Sequence, residues 1–285
     1  MTERDTDEHR LPELRFVPVD SLVPHEQHDP ARFARLAQRL REDARMRNPP
    51  VVAPLPGGGT PRYVVLDGAN RAHAAQAARI PHMVVQVVPY TDPPVRLSTW
   101  CHALGDTSRD HFENALGAVP GLECRREPLL RASALLARRE TLAYVAFADG
   151  TADTLHGGRD LREKNALLNA LVDTYRESKR FFRVTSESFA VVQERHPEIE
   201  ALVVFPHFEP SEVMEIAAGG ERLPAGITRH VIRWRALRLD VPLERMADSE
   251  TSLAAKNRWL EEWLLEKLRD RRVRFYEEPT VLFDE

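Results

Sequence analysis

Three stretches of this chain carry side chains able to do phosphate or acid–base chemistry. The strongest is Val64-Val65-Leu66-Asp67-Gly68-Ala69-Asn70-Arg71. An apolar strand ends in an acid and a glycine, and an alanine-rich helix starts at once. The first N–H groups of such a helix lack intrahelical partners and favour a phosphate above the strand. Gly68 lets the backbone come close, and Arg71 adds a guanidinium whose fork matches phosphate oxygens. Asp67 could hold a Mg²⁺ ion or orient a hydroxyl. A plain turn with Asp67 as helix cap accounts for the same residues, so both readings stay open at this point.

The second stretch is Pro24-His25-Glu26. Glu26 offers a carboxylate for proton transfer, although a Glu in a loop is also an ordinary solvated residue and nothing local tunes it. His25 and His28 stand three apart but belong to no zinc signature. The third is Pro224-Ala225-Gly226-Ile227-Thr228-Arg229-His230, where Thr228 and His230 offer a hydroxyl and an imidazole beside a glycine turn. Its plainer reading is a turn that opens a strand. Trp100, in Leu97-Ser98-Thr99-Trp100-Cys101-His102, could wall a ligand or sit in a core, and Cys101 reads as a small buried hydrophobe. No Gly-x-Ser-x-Gly elbow or Walker-type Gly-x-x-x-x-Gly-Lys occurs.

The elements that must position these residues follow from periodicity. Leu14 to Val19 reads as a strand. Pro30 to Arg45 reads as a helix with Phe33, Leu36, Ala37, Leu40 and Ala44 on one face, started by Asp29 and Pro30. Pro50 to Leu55 and Arg62 to Leu66 form a hairpin around Pro56-Gly57-Gly58-Gly59. Ala69 to Arg79 is helical, and Met83 to Val88 is a strand. Tyr90-Thr91-Asp92-Pro93-Pro94 is the best linker signal. Beyond it come a hairpin made of Leu142 to Ala148, the turn Asp149-Gly150 and the short run that follows, a helix over Asp160 to Lys179, a strand at Ala201 to Phe205 and a helix at Pro210 to Ala218. His230 to Val241 alternates like a strand pair. Ser252 to Arg271 is amphipathic, with Trp259, Trp263, Leu264 and Leu268 on its apolar side. The fold class is α+β, with domains at 1–90 and 91–285.

The chain has 285 residues, 40 Lys+Arg and 44 Asp+Glu, a formal net charge of -4 that argues against a protein coating nucleic acid. Cys101 and Cys124 make no metal-ligand spacing, and two thiols in a chain this long point to a reducing compartment. No apolar run is long enough to span a membrane and the polar N-terminus is unlike a signal peptide, so a cytoplasmic location is expected.

Val17 to Val88, with Leu22-Val23-Pro24-His25-Glu26 early and Val65-Leu66-Asp67-Gly68-Ala69-Asn70-Arg71 later, resembles the ParB/sulfiredoxin fold. Within it the chain resembles the free L-serine kinase branch. Phe205-Pro206-His207-Phe208, Leu223 to His230 and the ending Tyr276 to Glu285 extend that resemblance over nearly the whole chain, and Pro-Ala-Gly-Ile-Thr-Arg-His is its most specific run. The resemblance implies a ParB-like domain facing a second mixed α/β domain, and transfer of a phosphoryl group from ATP or ADP to the hydroxyl of free L-serine with Mg²⁺. It implies Glu26 as catalytic base and Asp67 as the acid beside the phosphates and their metal. Gly68, Ala69, Asn70 and Arg71 would form the phosphate turn, and Trp100, Thr228 and His230 the serine pocket. The family's loop often carries histidines after Asp-Gly; Ala69 and Asn70 stand there in this chain, which implies either a weaker phosphate clamp or one that uses Arg71 more.

The competing reading is a ParB-like, nucleotide-sensing, DNA-binding transcriptional regulator, with DNA as a secondary partner. Arg125-Arg126, Arg138-Arg139 and Arg269 to Arg274 are basic clusters, but no helix-turn-helix follows Pro94, and arginines on helices are usually paired with nearby acids. A sulfiredoxin-like repair enzyme would need a cysteine where Ala69 stands. A nuclease would need carboxylates spaced for two metals.

Overall fold

The computed structural model describes residues 11–27, 44–57, 59–91, 95–105, 108–176, 181–276 and 278. The chain forms two compact units. One comprises Met1–Val23, Asp29–Val95 and Ile232–Glu285, the other Pro24–His28 and Arg96–Val231. The helix expected over Pro30 to Arg45 lies almost wholly outside the described residues, as do most of the 90–94 linker and the last ten residues.

The first unit is built on a five-stranded sheet. Its strands are β1 (Leu14–Pro18), β2 (Leu22–Pro24), β4 (Val51–Leu55), β5 (Arg62–Asp67) and β6 (His82–Val87), after a two-residue β3 (Arg45–Met46) that stands apart. The spatial order is β1-β6-β4-β5-β2. The expected β4–β5 hairpin is present and antiparallel, with Leu55 opposite Arg62 and Val51 opposite Asp67. β4 runs parallel to β6, and α1 (Ala69–Ala77) makes the crossover between β5 and β6. Val51, Val52, Ala53, Val64 and Val65 are fully buried, as unbroken apolar runs in a covered sheet require.

The C-terminal segment belongs to this same unit, which departs from the expected division at residue 90. The physical reason is the apolar side of α8 (Leu253–Arg269), which follows the short α7 (Leu243–Ala247). Leu260 is buried, and Trp259, Trp263 and Leu264 pack on a core that includes Phe16, Val17 and Val85. Asn257 also satisfies the backbone of edge strand β1. Its Oδ1 accepts the Phe16 N–H at 2.8 Å and its Nδ2 donates to the Phe16 carbonyl at 3.1 Å. An edge left open would template unwanted strand pairing.

The strand pair expected over His230 to Val241 does not form. β14 (Thr228–Ile232) stops early and β15 (Val241–Pro242) pairs instead with β3. Between them Trp234, Arg238 and Asp240 adopt φ of 57°, 51° and 58°, a left-handed backbone that interrupts an extended ladder.

The second unit is a six-stranded sheet ordered β12-β8-β13-β10-β11-β9. Its strands are β8 (Cys101–Gly105), β9 (Glu123–Pro128), β10 (Ala143–Phe147), β11 (Thr151–His156), β12 (Phe181–Val184) and β13 (Ile199–Val204). β10 and β11 are the hairpin expected around Asp149-Gly150. The helices are α2 (Arg109–Gly117), α3 (Leu129–Ala137), α4 (Leu161–Asp173), α5 (Phe189–Arg195) and α6 (Pro210–Ala218). α4 starts where expected, with Asp160 accepting the Glu163 N–H, but ends six residues before Lys179. A separate two-stranded ladder joins β7 (Val95–Thr99) to β14. α+β is thus the observed class. Among the described residues, no helix is long and apolar enough to cross a membrane.

Candidate active site

In the first unit, β5 ends at Asp67 and α1 starts at Ala69, with Gly68 between them at φ 89°. A Cβ on Gly68 would lie 3.0 Å from the Pro50 Cα and 3.1 Å from the Arg71 guanidinium. A larger residue would be strained there by the left-handed backbone and crowded against Pro50 and Arg71. No side chain caps α1, so Asp67 is not the helix cap that a plain turn would make it.

The Asp67 carboxylate instead holds two arginines. Arg71 Nη2 donates to Oδ2 at 2.9 Å, and Arg235 Nη2 donates to the same oxygen. Arg71 Nη1 also donates to the Asn48 carbonyl at 2.7 Å, so its guanidinium lies fixed across the turn. Asn48 is buried and its Oδ1 accepts the Arg238 N–H at 2.9 Å. Two guanidinium charges meet one carboxylate at the positive end of a helix, which leaves the turn net cationic and suited to an anion. Asn70 Oδ1 and Arg235 Nε are buried without a hydrogen-bond partner among the described residues. Such atoms in a native site call for a ligand or water.

In the second unit, Glu26 is not a solvated loop residue. Its side chain is 15% exposed, and the 224–230 loop grips it. The Gly226 N–H donates to Oε2 at 2.8 Å, the Thr228 N–H to Oε1 at 2.8 Å, and the Thr228 hydroxyl to Oε1 at 2.5 Å. Because the Thr228 proton goes to Glu26, His25 Nε2, at 2.8 Å from that hydroxyl, donates to its oxygen. Backbone bonds tie the Glu26 segment to Leu223, just before this loop, as an isolated parallel bridge. Gln27 N–H donates to the Leu223 carbonyl and Leu223 N–H to the His25 carbonyl, each at 2.8 Å.

Trp100 and His230 stand beside this cluster. The Trp100 N–H donates to the Ile227 carbonyl at 3.0 Å, and the Arg229 guanidinium lies 5.2 Å from the Trp100 ring centre. Trp100 is half-buried rather than core. The His230 ring meets His25 edge-on at 5.0 Å. Cys101 is buried as expected, and burial pushes its thiol up to about 12, with Glu187 adding to the shift. It offers no nucleophile.

Asp67, Gly68, Ala69, Asn70 and Arg71 thus come together in one unit, and Glu26, Trp100, Thr228 and His230 in the other. Arg235 and Asn48 escaped the sequence reading. Arg235 lies in the segment His230 to Val241, whose alternation reads as a strand pair and gives no reason to aim Arg235 at Asp67. Two of the three basic clusters considered for DNA, Arg125-Arg126 and Arg138-Arg139, are paired with acids. Arg125 bonds Glu123 at 3.0 Å, Arg138 bonds Glu140 at 2.7 Å, Arg139 bonds Glu212 at 2.5 Å, and Arg126 bonds Glu113.

No group of three or more His, Cys, Asp or Glu able to hold a metal occurs among the described residues. Asp67 offers one carboxylate whose Oδ2 is engaged by two arginines, with Oδ1 outside both pairs. That donor set fits a Mg²⁺ that arrives on phosphate oxygens and keeps much of its water, not a resident ion in a protein cage.

This is the fold of the free serine kinases. A free serine kinase in complex with AMP superposes with a TM-score of 0.71 at 22% identity, covering 86% of this chain and 98% of that one. The particular relatives agree. A C-terminally truncated SbnI from Staphylococcus aureus superposes with a TM-score of 0.68 at 22% identity, covering 90% of this chain and 97% of that one. In sequence, the ATP-dependent L-serine kinase SbnI of Staphylococcus aureus is 23% identical over 95% of this chain and 97% of its own length. An ATP-dependent L-serine kinase from Desulfurococcus mucosus is 32% identical over 39% of this chain and 43% of its own length. No family model matches the chain. The resemblance to the free L-serine kinase branch is therefore borne out.

Proposed function

We propose that this chain is a Mg²⁺-dependent kinase that transfers the terminal phosphoryl group of ATP or ADP to the hydroxyl of free L-serine, giving O-phospho-L-serine. The observation that carries the reading is the Glu26 carboxylate, held by three donors from the Gly226–Thr228 loop. The named serine kinases that match the chain supply the acceptor.

Phosphoryl transfer needs positioning and charge neutralisation more than covalent chemistry. In this reading Gly68, Ala69 and Asn70 bring backbone N–H groups to the phosphates, and Arg71 and Arg235 offset their charge. Asp67 fixes both guanidiniums and would help hold the metal through its remaining carboxylate oxygen. Bound Mg²⁺ would neutralise phosphate charge and order the phosphate oxygens. Glu26 takes the proton of the serine hydroxyl as that oxygen forms its bond to phosphorus and the bond from phosphorus to the leaving nucleotide oxygen breaks. Oε2 is the accepting oxygen, because it carries one hydrogen bond while Oε1 carries two. Thr228 serves by orienting Glu26, since its hydroxyl proton is already committed there. Trp100 and His230 then remain to shape the serine pocket.

The test is nucleotide turnover by the purified chain with L-serine, supplied with ATP or ADP and with or without Mg²⁺. Serine-dependent turnover that chelation abolishes is expected with at least one donor. Turnover that ignores serine would refute the acceptor. Turnover that survives chelation would refute the metal.

A further inference from the structure

The carbonyl of Gly226 accepts a hydrogen bond from His102 Nε2 at 3.0 Å. A carbonyl only accepts, so Nε2 carries the ring proton and Nδ1 is an acceptor. The Tyr175 hydroxyl lies 2.8 Å from Nδ1 and therefore donates to it. His102 is fully buried on β8, boxed by the rings of Tyr175, Phe181 and Phe205 at 5.8, 4.6 and 4.7 Å. Burial holds its imidazole down at about 3, outweighing the raising effect of the Gly226 carbonyl, and the charge of Arg183 adds a smaller lowering effect, so the ring is neutral. An apolar box of this kind fixes one tautomer and one orientation.

The Gly226 carbonyl belongs to the 226–227 peptide. That peptide lies between the two N–H groups, of Gly226 and Thr228, that hold the Glu26 carboxylate. Ile227, in the middle, is fully buried, and its carbonyl is taken by the Trp100 N–H. Gly226 sits at φ +74°, where a Cβ would fall 1.9 Å from the Arg183 guanidinium. Arg183 thus fills the space a side chain would need. A glycine in this conformation is free to turn its peptide planes, and His102 is the side chain that removes that freedom on the carbonyl side.

We propose that His102, locked by Tyr175, is a positioning residue for Glu26, orienting the 226–227 peptide and with it the donors that aim the carboxylate. The proposal rests on Glu26 being the base of the reaction. His102 touches neither Glu26 nor any reacting atom; it acts through the loop.

Three variants test it. His102→Phe keeps an aromatic ring in the box and removes the donor. His102→Gln keeps a donor near the Nε2 position. Tyr175→Phe unlocks the tautomer and leaves His102 in place. Each is read by kcat and KM separately, and by the amide proton shifts of Gly226 and Thr228 in protein labelled at glycine and threonine nitrogen. His102→Phe should lower kcat by about 10- to 100-fold, as small misplacements of a catalytic group do. Its KM for nucleotide should stay within about twofold, and both amide protons should lose their hydrogen-bonded shift. His102→Gln should recover most of kcat, and Tyr175→Phe should fall between. Native kcat and unmoved amides in His102→Phe would overturn the proposal. So would a His102→Gln variant as impaired as His102→Phe. Should His102→Phe not fold, Tyr175→Phe decides alone: an unmoved kcat with unmoved amides overturns it. Native protein that makes no phosphoserine, while the amides still answer to His102, would sink the kinase reading and leave the linkage to Glu26 standing.

Discussion

The carboxylate of Glu26 accepts the backbone N–H of Thr228 at 2.8 Å, across 202 residues of sequence. With the Gly226 N–H on its other oxygen, a side chain that would otherwise sample many rotamers has one position. Preorganisation of this kind separates a general base from a surface acid. Glu26→Gln keeps the shape and removes the ability to take a proton. It is expected to lower kcat by about 10²–10⁴-fold with nucleotide affinity unchanged, checked by steady-state kinetics beside a nucleotide titration.

Gly226→Ala tests the loop itself. The new methyl group would meet the Arg183 guanidinium at 1.9 Å and sit on a backbone of φ +74°. The left-handed conformation alone costs about 1–3 kcal/mol for a residue other than glycine. A lowered melting temperature and loss of most kcat are expected; a variant as stable and as active as the native chain would show that the loop is not constrained there.

Arg235 shares one carboxylate oxygen with Arg71 and keeps a buried Nε without partner. If it serves the phosphates, Arg235→Met should weaken ATP binding by about 10- to 100-fold, the range for a charged hydrogen bond. The loss should shrink at high salt. Unchanged ATP affinity, with only a lowered melting temperature, would make Arg235 a counterion of Asp67 and nothing more.

Much of this was legible in the residues, and the failures have physical causes. The β4–β5 hairpin and the strand–Asp67-Gly68–helix turn showed because apolar runs, a glycine-rich turn and a helix start follow one another locally. The Gly226-to-His230 run stood out as a motif, but its partner Glu26 lies 200 residues earlier, and no local pattern encodes a bond at that distance. Arg235 was hidden because one left-handed residue, Trp234 at φ 57°, breaks the alternation that made the segment look like a strand. The stripe on α8 announced that Trp259 and Leu264 must be buried, not that Phe16 and Val17 lie beneath them. Nothing local to His102 encodes its bonds to Tyr175 and Gly226, which lie 73 and 124 residues away.

His102 also sets a pH dependence of stability. Its ordinary value is 6.5 and the folded value about 3, lowered chiefly by burial and next by Arg183. The Tyr175 phenol also faces it, and burial holds that group well above its ordinary value. Between these two pH values the unfolded chain carries a proton on His102 that the folded chain does not. Stability from this group is therefore complete above pH 6.5 and falls as pH drops toward 3, by at most about 1.4 kcal/mol per pH unit. Melting temperatures taken at pH 7.5 and at about pH 5 should show a larger drop for the native chain than for His102→Gln; equal drops would assign the acid sensitivity to other groups.

The central claim is that this chain phosphorylates free serine and that Glu26 takes the proton. The most direct measurement is phosphorus NMR of purified protein mixed with L-serine, Mg²⁺ and either ATP or ADP, with a Glu26→Ala sample run in parallel. An O-phosphoserine resonance is expected from the native protein with at least one donor, and none from Glu26→Ala on the same timescale. Nucleotide binding without any phosphoserine, or equal phosphoserine from both proteins, would contradict it.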